Sequence, residues 1–345
     1  MKGDLVLQVR DLTVRFPTAD GVVQAVSGVS FDLHRGETLG VVGESGSGKS
    51  VTNLAIMGLL NRRRAEISGE ALFGGRNLLT LSDDELRRVR GKEIAMVFQD
   101  PFACLHPMYR VGHQIAEAVL AHEGVGKKAA NARAVELLEA VGIPNAPARA
   151  RDYPHQFSGG MRQRAMIAMA LVHNPAVLIA DEPTTALDVT VQAQILELID
   201  AVKRDFACGV ILVTHDLGVV AETTDSVMVM YAGRVMEHGS ADAVFWQPQH
   251  PYTWGLMDSM PTVERRLARL HAIEGTPPSL VAPPSGCPFH PRCAFAFEPC
   301  PLERPPLAPI PGGHLDACHL PVERKRELQV ARPAAAAAAA DGSAA

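Results

Sequence analysis

The sequence predicts an α/β protein built on a mostly parallel β-sheet, and three observations support this fold class. The segment Thr38–Val42 is apolar without alternation, which is typical of a strand covered on both faces. Two further apolar segments, at 176–179 and 210–213, have the same character, and a helical pattern lies between them at about 190–205. Strands that alternate with helices favour a parallel sheet, because each crossover needs a connecting helix.

The other elements follow in chain order. Residues 4–42 are predicted to form short strands at 5–9, 22–33 and 37–42, with a turn around Asp20 and Gly21. A helix is expected from Lys49 to Leu60. From about 102 to 165 the apolar residues recur at helical spacing, which indicates a helical subdomain. The pattern therefore predicts an α/β core with a β-rich start and a helical insertion.

Composition restricts the class of partner and the cellular compartment. The 345 residues contain 33 Lys and Arg against 38 Asp and Glu, so the net charge is −5. A nucleic-acid-binding protein usually needs a basic face, and this balance gives no support to one. The sequence contains no run of about 18 to 20 apolar residues that could span a bilayer, and its start lacks the features of a signal peptide. We therefore expect no nucleic acid partner, and a soluble chain in the cytosol.

A glycine-rich loop follows the first buried strand and precedes a predicted helix. It matches the pattern Gly-x4-Gly-Lys-Ser/Thr in the structural context that this pattern requires. Glycines let successive backbone N–H groups point inward at phosphates, and the start of the helix adds its positive end. The lysine is expected to reach the β- and γ-phosphates of ATP, and the serine hydroxyl to hold Mg²⁺. The residues concerned are Gly43, Glu44, Ser45, Gly46, Ser47, Gly48, Lys49 and Ser50, with Val51 after them.

Two acids end the apolar strand near residue 180. Asp181 would lie at the carboxyl end of that strand, beside the Mg²⁺ ion. Glu182 would then be placed to polarise an attacking water as a general base. An apolar run ending in two acids is weak evidence alone, since many such runs are simply capped strands. Together with the glycine-rich loop it predicts ATP hydrolysis.

A segment about twenty residues before Asp181 distinguishes among the proteins that share such a loop. The residues Phe157, Ser158, Gly159, Gly160 and Met161 resemble the ABC signature, usually Leu-Ser-Gly-Gly-Gln. A serine and two glycines that open a helix also make a second anion-binding helix start. The resemblance implies the ABC-type P-loop NTPase fold, with a RecA-like parallel core, an antiparallel β subdomain and a helical subdomain. It also implies that this segment binds the γ-phosphate of ATP held by an opposite subunit.

The same resemblance extends to further positions. Gln99 is similar to the Q-loop glutamine, which senses Mg²⁺ and contacts the membrane subunits. Residues 186–188 resemble the D-loop at the dimer interface, and His215 resembles the switch histidine that contacts the γ-phosphate. Phe16 is the candidate for the aromatic side chain that stacks on adenine. Phe157, Met161 and Thr185 depart from the usual leucine, glutamine and serine, and none of these changes removes a catalytic group.

Four cysteines crowd into the last sixth of the chain with the spacing Cys-x5-Cys-x6-Cys-x17-Cys, and they are Cys287, Cys293, Cys300 and Cys318. In a cytosolic protein such a cluster indicates a metal site more often than disulfides. Four thiolates suit iron–sulfur or zinc, and the spacing alone leaves both open because His290 and His319 are near. The segments at 250–253 and 286–293 are similar to the extension of the oligopeptide/dipeptide ABC importers. In the D-type subunits of that subfamily the resemblance implies a 4Fe–4S cluster on these cysteines.

Composition and this resemblance together divide the chain into an ATPase domain at 1–245 and a proline-rich extension at 246–330, and the low-complexity alanine run predicts a disordered tail at 331–345. The resemblance implies an ATP-hydrolysing motor for uptake of dipeptides or oligopeptides, peripheral on the cytoplasmic face of the inner membrane. The implied partners are a second, related ATPase subunit, two membrane subunits and an extracytoplasmic peptide-binding protein. An importer of nickel or another small solute is the main alternative. A soluble ABC ATPase that acts on ribosomes or DNA would usually carry two cassettes or basic linkers, and the sequence contains one cassette.

Overall fold

The computed structural model describes residues 3–185, 187–259, 273–311 and 313–330. Within these ranges, none of the helices is long and apolar enough to cross a membrane. Ala186 of the expected D-loop and the expected tail at 331–345 lie outside the described residues.

The strands form two sheets. In chain order they are β1 (Leu5–Thr18), β2 (Gly21–His34), β3 (Thr38–Val42), β4 (Glu66–Phe73), β5 (Arg76–Asn77), β6 (Ile94–Val97), β7 (Val177–Asp181), β8 (Gly209–Val213), β9 (Ser226–Tyr231), β10 (Arg234–Ser240), β11 (Ala308–Ile310) and β12 (His314–Asp316).

The α-helices lie between and after these strands. They are α1 (Lys49–Ile56), α2 (Asp83–Val89), α3 (Pro101–Cys104), α4 (Val111–His122), α5 (Lys127–Ala140), α6 (Ala146–Arg149), α7 (Gly159–Ala170), α8 (Val189–Phe206), α9 (Leu217–Thr223), α10 (Ala241–Trp246), α11 (Pro251–Asp258), α12 (Pro299–Leu302) and α13 (Val322–Val330). Short 3-10 turns occupy Leu78–Thr80, Pro154–Gln156 and His290–Arg292.

The larger sheet is the core of the fold. Its strand order is β11-β12-β10-β9-β3-β8-β7-β6, and the five strands from β9 to β6 run parallel. Every residue of β3, β7 and β8 is buried, which explains why these segments lack alternation. The predicted α/β fold is therefore confirmed, with a mixed sheet. Ligands of such sheets bind outside the carboxyl ends of the parallel strands, which is where the glycine-rich loop and the two acids lie.

The smaller sheet is antiparallel, in the order β2-β1-β4-β5. β1 and β2 contain 14 residues each, whereas the sequence predicted shorter strands. β1 continues past residue 9 through a bulge at Asp11, whose φ of 48° lies in the left-handed region. The bulge interrupts the alternation of apolar residues, and for this reason the sequence pattern predicted a strand that ends at residue 9.

The helical subdomain comprises α3 to α6 and packs on α7. Its apolar side chains share one core cluster with the outer face of β6, β7 and β8. Phe157 is 2% exposed within this cluster, so the phenylalanine that replaces the usual leucine keeps an apolar side chain inside. Met161 is partly buried against the same cluster.

Part of the C-terminal extension continues the core sheet. β12 pairs antiparallel with β10, and β11 pairs with β12, in a region for which the sequence predicted only irregular structure. Lys325 of α13 forms a buried ion pair with Asp316 of β12. The fully buried Glu237 of β10 accepts hydrogen bonds from the backbone N–H groups of Gln249 (2.7 Å) and His250 (3.0 Å), and burial raises its pKa to about 8. These buried polar contacts fix the extension on the edge of the sheet.

Candidate active site

The glycine-rich loop connects β3 with α1, and two of its glycines have no room for a side chain. Gly43 has a φ of 147°, and a Cβ atom there would lie 2.1 Å from the carbonyl oxygen of Met230. Gly48 has a φ of 101°, and its Cβ would lie 2.5 Å from the carbonyl oxygen of Ala25. The left-handed backbone and the close approach both require glycine. The loop is thus curled tightly against the neighbouring strands.

Lys49 opens α1 and lies inside this loop. Its side chain is nearly buried, at 6% exposure. The Nζ atom donates hydrogen bonds to the carbonyl oxygens of Gly43 (2.7 Å) and Glu44 (3.0 Å). Burial lowers the pKa of Lys49, while the nearby carboxylates of Glu182, Asp181 and Glu44 act in the opposite direction. An ammonium held at the centre of a curled loop is placed to bind phosphate oxygens.

Ser50 and Asp181 face each other across the ends of α1 and β7. The Ser50 hydroxyl donates a hydrogen bond of 3.0 Å to the Asp181 carboxylate. Burial raises the pKa of Asp181, and the bond from Ser50 opposes this effect. A hydroxyl and a carboxylate together are oxygen ligands of the kind that Mg²⁺ prefers. The pair fits the predicted ion, which would neutralise phosphate charge there.

Glu182 is the next residue, and three side chains converge on its Oε2 atom. Gln99 Nε2 and Thr185 Oγ1 each donate a hydrogen bond of 2.9 Å, and His215 Nδ1 lies 3.6 Å away. The backbone of Glu182 has a φ of 48°, a left-handed conformation that costs a non-glycine residue about 1 to 2 kcal/mol. Backbone strain of this type clusters at functional sites. Sequence reasoning did not assign the Thr185 hydroxyl to this group.

The signature segment opens α7. Ser158 is the N-cap, and its Oγ accepts a hydrogen bond of 3.3 Å from the backbone N–H of Met161. A Cβ atom on Gly160 would lie 2.7 Å from Val191 of α8, and one on Gly159 would lie 3.7 Å from Leu187. The described contacts of the two glycines are therefore with α8 and with Leu187, two residues before it. Their contact with the phosphate of a second subunit stays a prediction.

The remaining predicted site residues lie around this centre. Ser45, Gly46 and Ser47 belong to the glycine-rich loop, and Val51 packs from α1 against the core. Phe16 lies on β1 opposite Val23, partly buried against the core cluster under β3. Its stacking on adenine stays a prediction.

Two residues that sequence reasoning did not place at the site touch the glycine-rich loop from the C-terminal extension. Arg292 forms an ion pair with the Glu44 carboxylate, and the Tyr252 hydroxyl accepts a hydrogen bond from the Glu44 backbone N–H. Arg292 lies 248 residues from Glu44, so no local pattern could have indicated the contact.

The four late cysteines line one cavity, together with His250, His290 and His319. Burial raises the pKa of Cys287, Cys293 and Cys318, which disfavours their thiolates unless a cation is near. Within the described ranges, however, no group of three or more His, Cys, Asp or Glu side chains is arranged to hold a metal ion. The predicted metal centre is therefore not confirmed, although the convergence of four thiols fits a soft metal in kind.

Residues 26–185 match the ABC transporter family. With the glycine-rich loop, the acids after β7 and the signature at α7, the fold and the site define a P-loop ATPase of the ABC class. A solved dimeric ABC cassette, MJ0796 bound to ADP and phosphate, has a TM-score of 0.61 and 27% identity, and the similarity covers 68% of this chain and 98% of that one.

Residues 236–300 match the C-terminal region of oligopeptide/dipeptide transporters. The oligopeptide transport ATP-binding protein OppD of Salmonella typhimurium is 52% identical, over 93% of this chain and 95% of the relative. The dipeptide transport ATP-binding protein DppD of Bacillus subtilis is 54% identical, over 86% and 88%. The chain belongs to the family of ATP-binding subunits of oligopeptide and dipeptide ABC transporters.

Proposed function

We propose that this chain is the motor subunit of an importer of dipeptides or oligopeptides, in which ATP hydrolysis drives uptake through separate membrane subunits. The observation that carries the hydrolysis of ATP is the convergence of Gln99, Thr185 and His215 on the Glu182 carboxylate, beside Ser50 and Asp181. A carboxylate oriented by donors, next to oxygen ligands for Mg²⁺, is the arrangement that phosphoryl transfer to water requires. The peptide cargo is supported by the similarity to OppD and DppD and by the match of residues 236–300.

In this proposal the glycine-rich loop and Lys49 hold the β- and γ-phosphates of ATP. Ser50, Asp181 and Gln99 would hold a Mg²⁺ ion, which would supply charge neutralisation at the phosphates. Glu182 orients the attacking water and accepts its proton, and His215 contacts the γ-phosphate. Gln99 and Thr185 keep the carboxylate in one orientation, since both donate to the same oxygen.

We propose that the working ATPase is a head-to-tail dimer with a second, related subunit. Ser158, Gly159, Gly160 and Met161 would then meet the γ-phosphate held by that subunit. The start of α7 supports this role, because a capped helix start with two glycines presents backbone N–H groups to an anion.

Two membrane subunits are proposed to dock near the segment that follows Gln99. Phe102, Met108 and Tyr109 are 63%, 75% and 52% exposed, although all three are large hydrophobic side chains. Neighbouring exposed apolar side chains of this kind mark protein interfaces. This surface supports an interface with another protein. We propose in addition, from the family resemblance, that the chain lies peripherally on the cytoplasmic face of the membrane and that an extracytoplasmic binding protein delivers the peptide.

We divide the chain into an ATPase domain at 1–245 and an extension at 246–330.

Cells that lack this subunit provide the test. We expect uptake of a labelled dipeptide or oligopeptide to be lost in them and to return with the wild-type chain but not with Glu182→Gln. Uptake of nickel, the alternative cargo, is measured in the same cells. Unchanged peptide uptake together with lost nickel uptake would replace the peptide assignment by the metal one.

For the four cysteines we propose a soft metal centre, with iron–sulfur favoured over zinc. The support is that all four thiols line one cavity. The preference for iron–sulfur over zinc rests on the resemblance of the cysteine spacing to that of the D-type subunits. Anaerobically purified protein is expected to be brown and to contain about four iron atoms per chain, the content of one such cluster. Cys300→Ser should lose the colour and the iron, whereas Cys104→Ser should keep both. A colourless protein with one zinc ion would assign zinc, and a metal-free protein would refute the proposal.

A further inference from the structure

Glu44, the second residue of the glycine-rich loop, is held by the C-terminal extension. Its carboxylate receives both terminal nitrogens of Arg292, with Nη1 2.6 Å from Oε2 and Nη2 3.0 Å from Oε1. Such a two-point pair between a guanidinium and a carboxylate fixes direction as well as distance. The backbone N–H of Glu44 donates a hydrogen bond of 2.8 Å to the Tyr252 hydroxyl.

Arg292 itself has little freedom. Its side chain is 5% exposed. Besides Glu44, its nitrogens donate to the carbonyl oxygens of Glu274 (2.9 Å) and Ile273 (3.2 Å) and to the Tyr231 hydroxyl (3.2 Å). These hydrogen bonds hold the planar guanidinium in one position, and from that position it pairs with Glu44.

Tyr252 is equally constrained. It is fully buried, and its ring lies 4.6 Å from the ring of Tyr231 and 5.3 Å from that of Phe289. Phe289 belongs to the loop between Cys287 and Cys293, and the backbone N–H of Arg292 donates to its carbonyl oxygen at 3.0 Å. The cysteine-bearing loop thus supports both residues of the extension that touch Glu44.

Within the glycine-rich loop, Glu44 is fixed at three groups. Its N–H is held by Tyr252, its side chain by Arg292, and its carbonyl oxygen by Lys49. A loop that binds phosphate through its backbone must keep a defined curl, and part of the binding free energy is lost when that curl must first be formed. The three contacts therefore oppose any rearrangement of Glu44 within the glycine-rich loop.

We propose that the C-terminal extension is a clamp on the phosphate-binding loop, in which Arg292 and Tyr252 are positioning residues that act through Glu44 to raise nucleotide affinity. The inference rests on the proposed ATP site. It adds that a change in the conformation of the cysteine-bearing loop would change nucleotide affinity through the ion pair between Arg292 and Glu44.

The test is the affinity of the full-length chain for ADP, measured by calorimetry. We expect Arg292→Ala to weaken ADP binding about 5- to 10-fold, less than the about 10- to 100-fold of a direct charged contact with the nucleotide, because Arg292 acts only through Glu44. Because a misplaced loop weakens ground-state and transition-state binding alike, KM for ATP should rise by a similar factor while kcat changes less than about 2-fold. Tyr252→Phe, which keeps the ring and removes only the hydroxyl, should weaken ADP binding about 2- to 3-fold.

Two controls make the test specific. Arg324→Ala removes an exposed arginine of the same extension that pairs with Glu327, and it should leave ADP affinity unchanged. In a Glu44→Ala background, Arg292→Ala should have almost no further effect, because the partner is already gone. Tyr252→Phe carries the test if Arg292→Ala lowers the yield of folded protein.

Two outcomes would overturn the clamp. The first is a folded Arg292→Ala variant that binds ADP within 2-fold of wild type. The second is a loss of affinity that is equally large in the Glu44→Ala background. Failure of the proposed function would look different, since the wild-type chain would then bind no nucleotide.

Discussion

Glu182→Gln is expected to bind MgATP as tightly as the wild-type chain and to hydrolyse it at least about 100-fold more slowly. The amide has the shape of the carboxylate but cannot accept a proton from the attacking water. Gln99 Nε2 and Thr185 Oγ1 both donate to Oε2, so the side-chain oxygen of the amide can take the same place. The geometry would then persist while the base is lost. Phosphate release and equilibrium binding of ATP measure the two effects separately.

A matched control for this variant is Glu197→Gln, which neutralises an exposed acid on α8 away from the convergence on Glu182. It should hydrolyse ATP at the wild-type rate. Normal turnover of Glu182→Gln would show that another group activates the water. A parallel loss of ATP binding would show instead that the glutamate is needed to maintain the site.

The parts of the site that the sequence predicted are those whose chemistry is local. The phosphate-binding motif requires glycines at fixed offsets from one lysine, and it runs from the end of one buried strand into the first residues of the next helix. Asp181 and Glu182 end a buried strand, so the pattern also indicated on which edge of the sheet they lie. Gln99 and His215 needed a family resemblance, because a single polar residue after a strand has no distinctive pattern.

The departures from the family signature have a physical reason that only packing reveals. Phe157 fills the core of the helical subdomain at 2% exposure, where the size of the side chain matters more than its shape. Thr185 keeps the hydroxyl of the serine that is usual at its position, and this hydroxyl donates to Glu182. Phe157 therefore keeps an apolar contact of the core, and Thr185 keeps a contact of the site.

What the sequence could not predict is contact between distant segments. The pairing of β12 with β10 and the ion pair between Arg292 and Glu44 join residues that are 77 or more positions apart in the chain. Proline-rich composition indicated irregular structure for the extension, and it said nothing about the edge of the core sheet that this segment joins. Contacts of this kind follow from tertiary packing, which single-sequence periodicity does not record.

Lys49→Ala is expected to weaken the binding of MgATP strongly, because it removes the buried positive charge inside the glycine-rich loop. A hydrogen bond to a charged group contributes about 1.5 to 3 kcal/mol, which corresponds to a loss of MgATP affinity of about 10- to 100-fold. In the free chain the same ammonium bridges the carbonyl oxygens of Gly43 and Glu44, so its removal also loosens the loop. Calorimetry with MgATP measures the effect. Lys127→Ala, an exposed lysine at the start of α5, is the matched control and should bind normally. Wild-type affinity in Lys49→Ala would mean that the phosphates bind elsewhere.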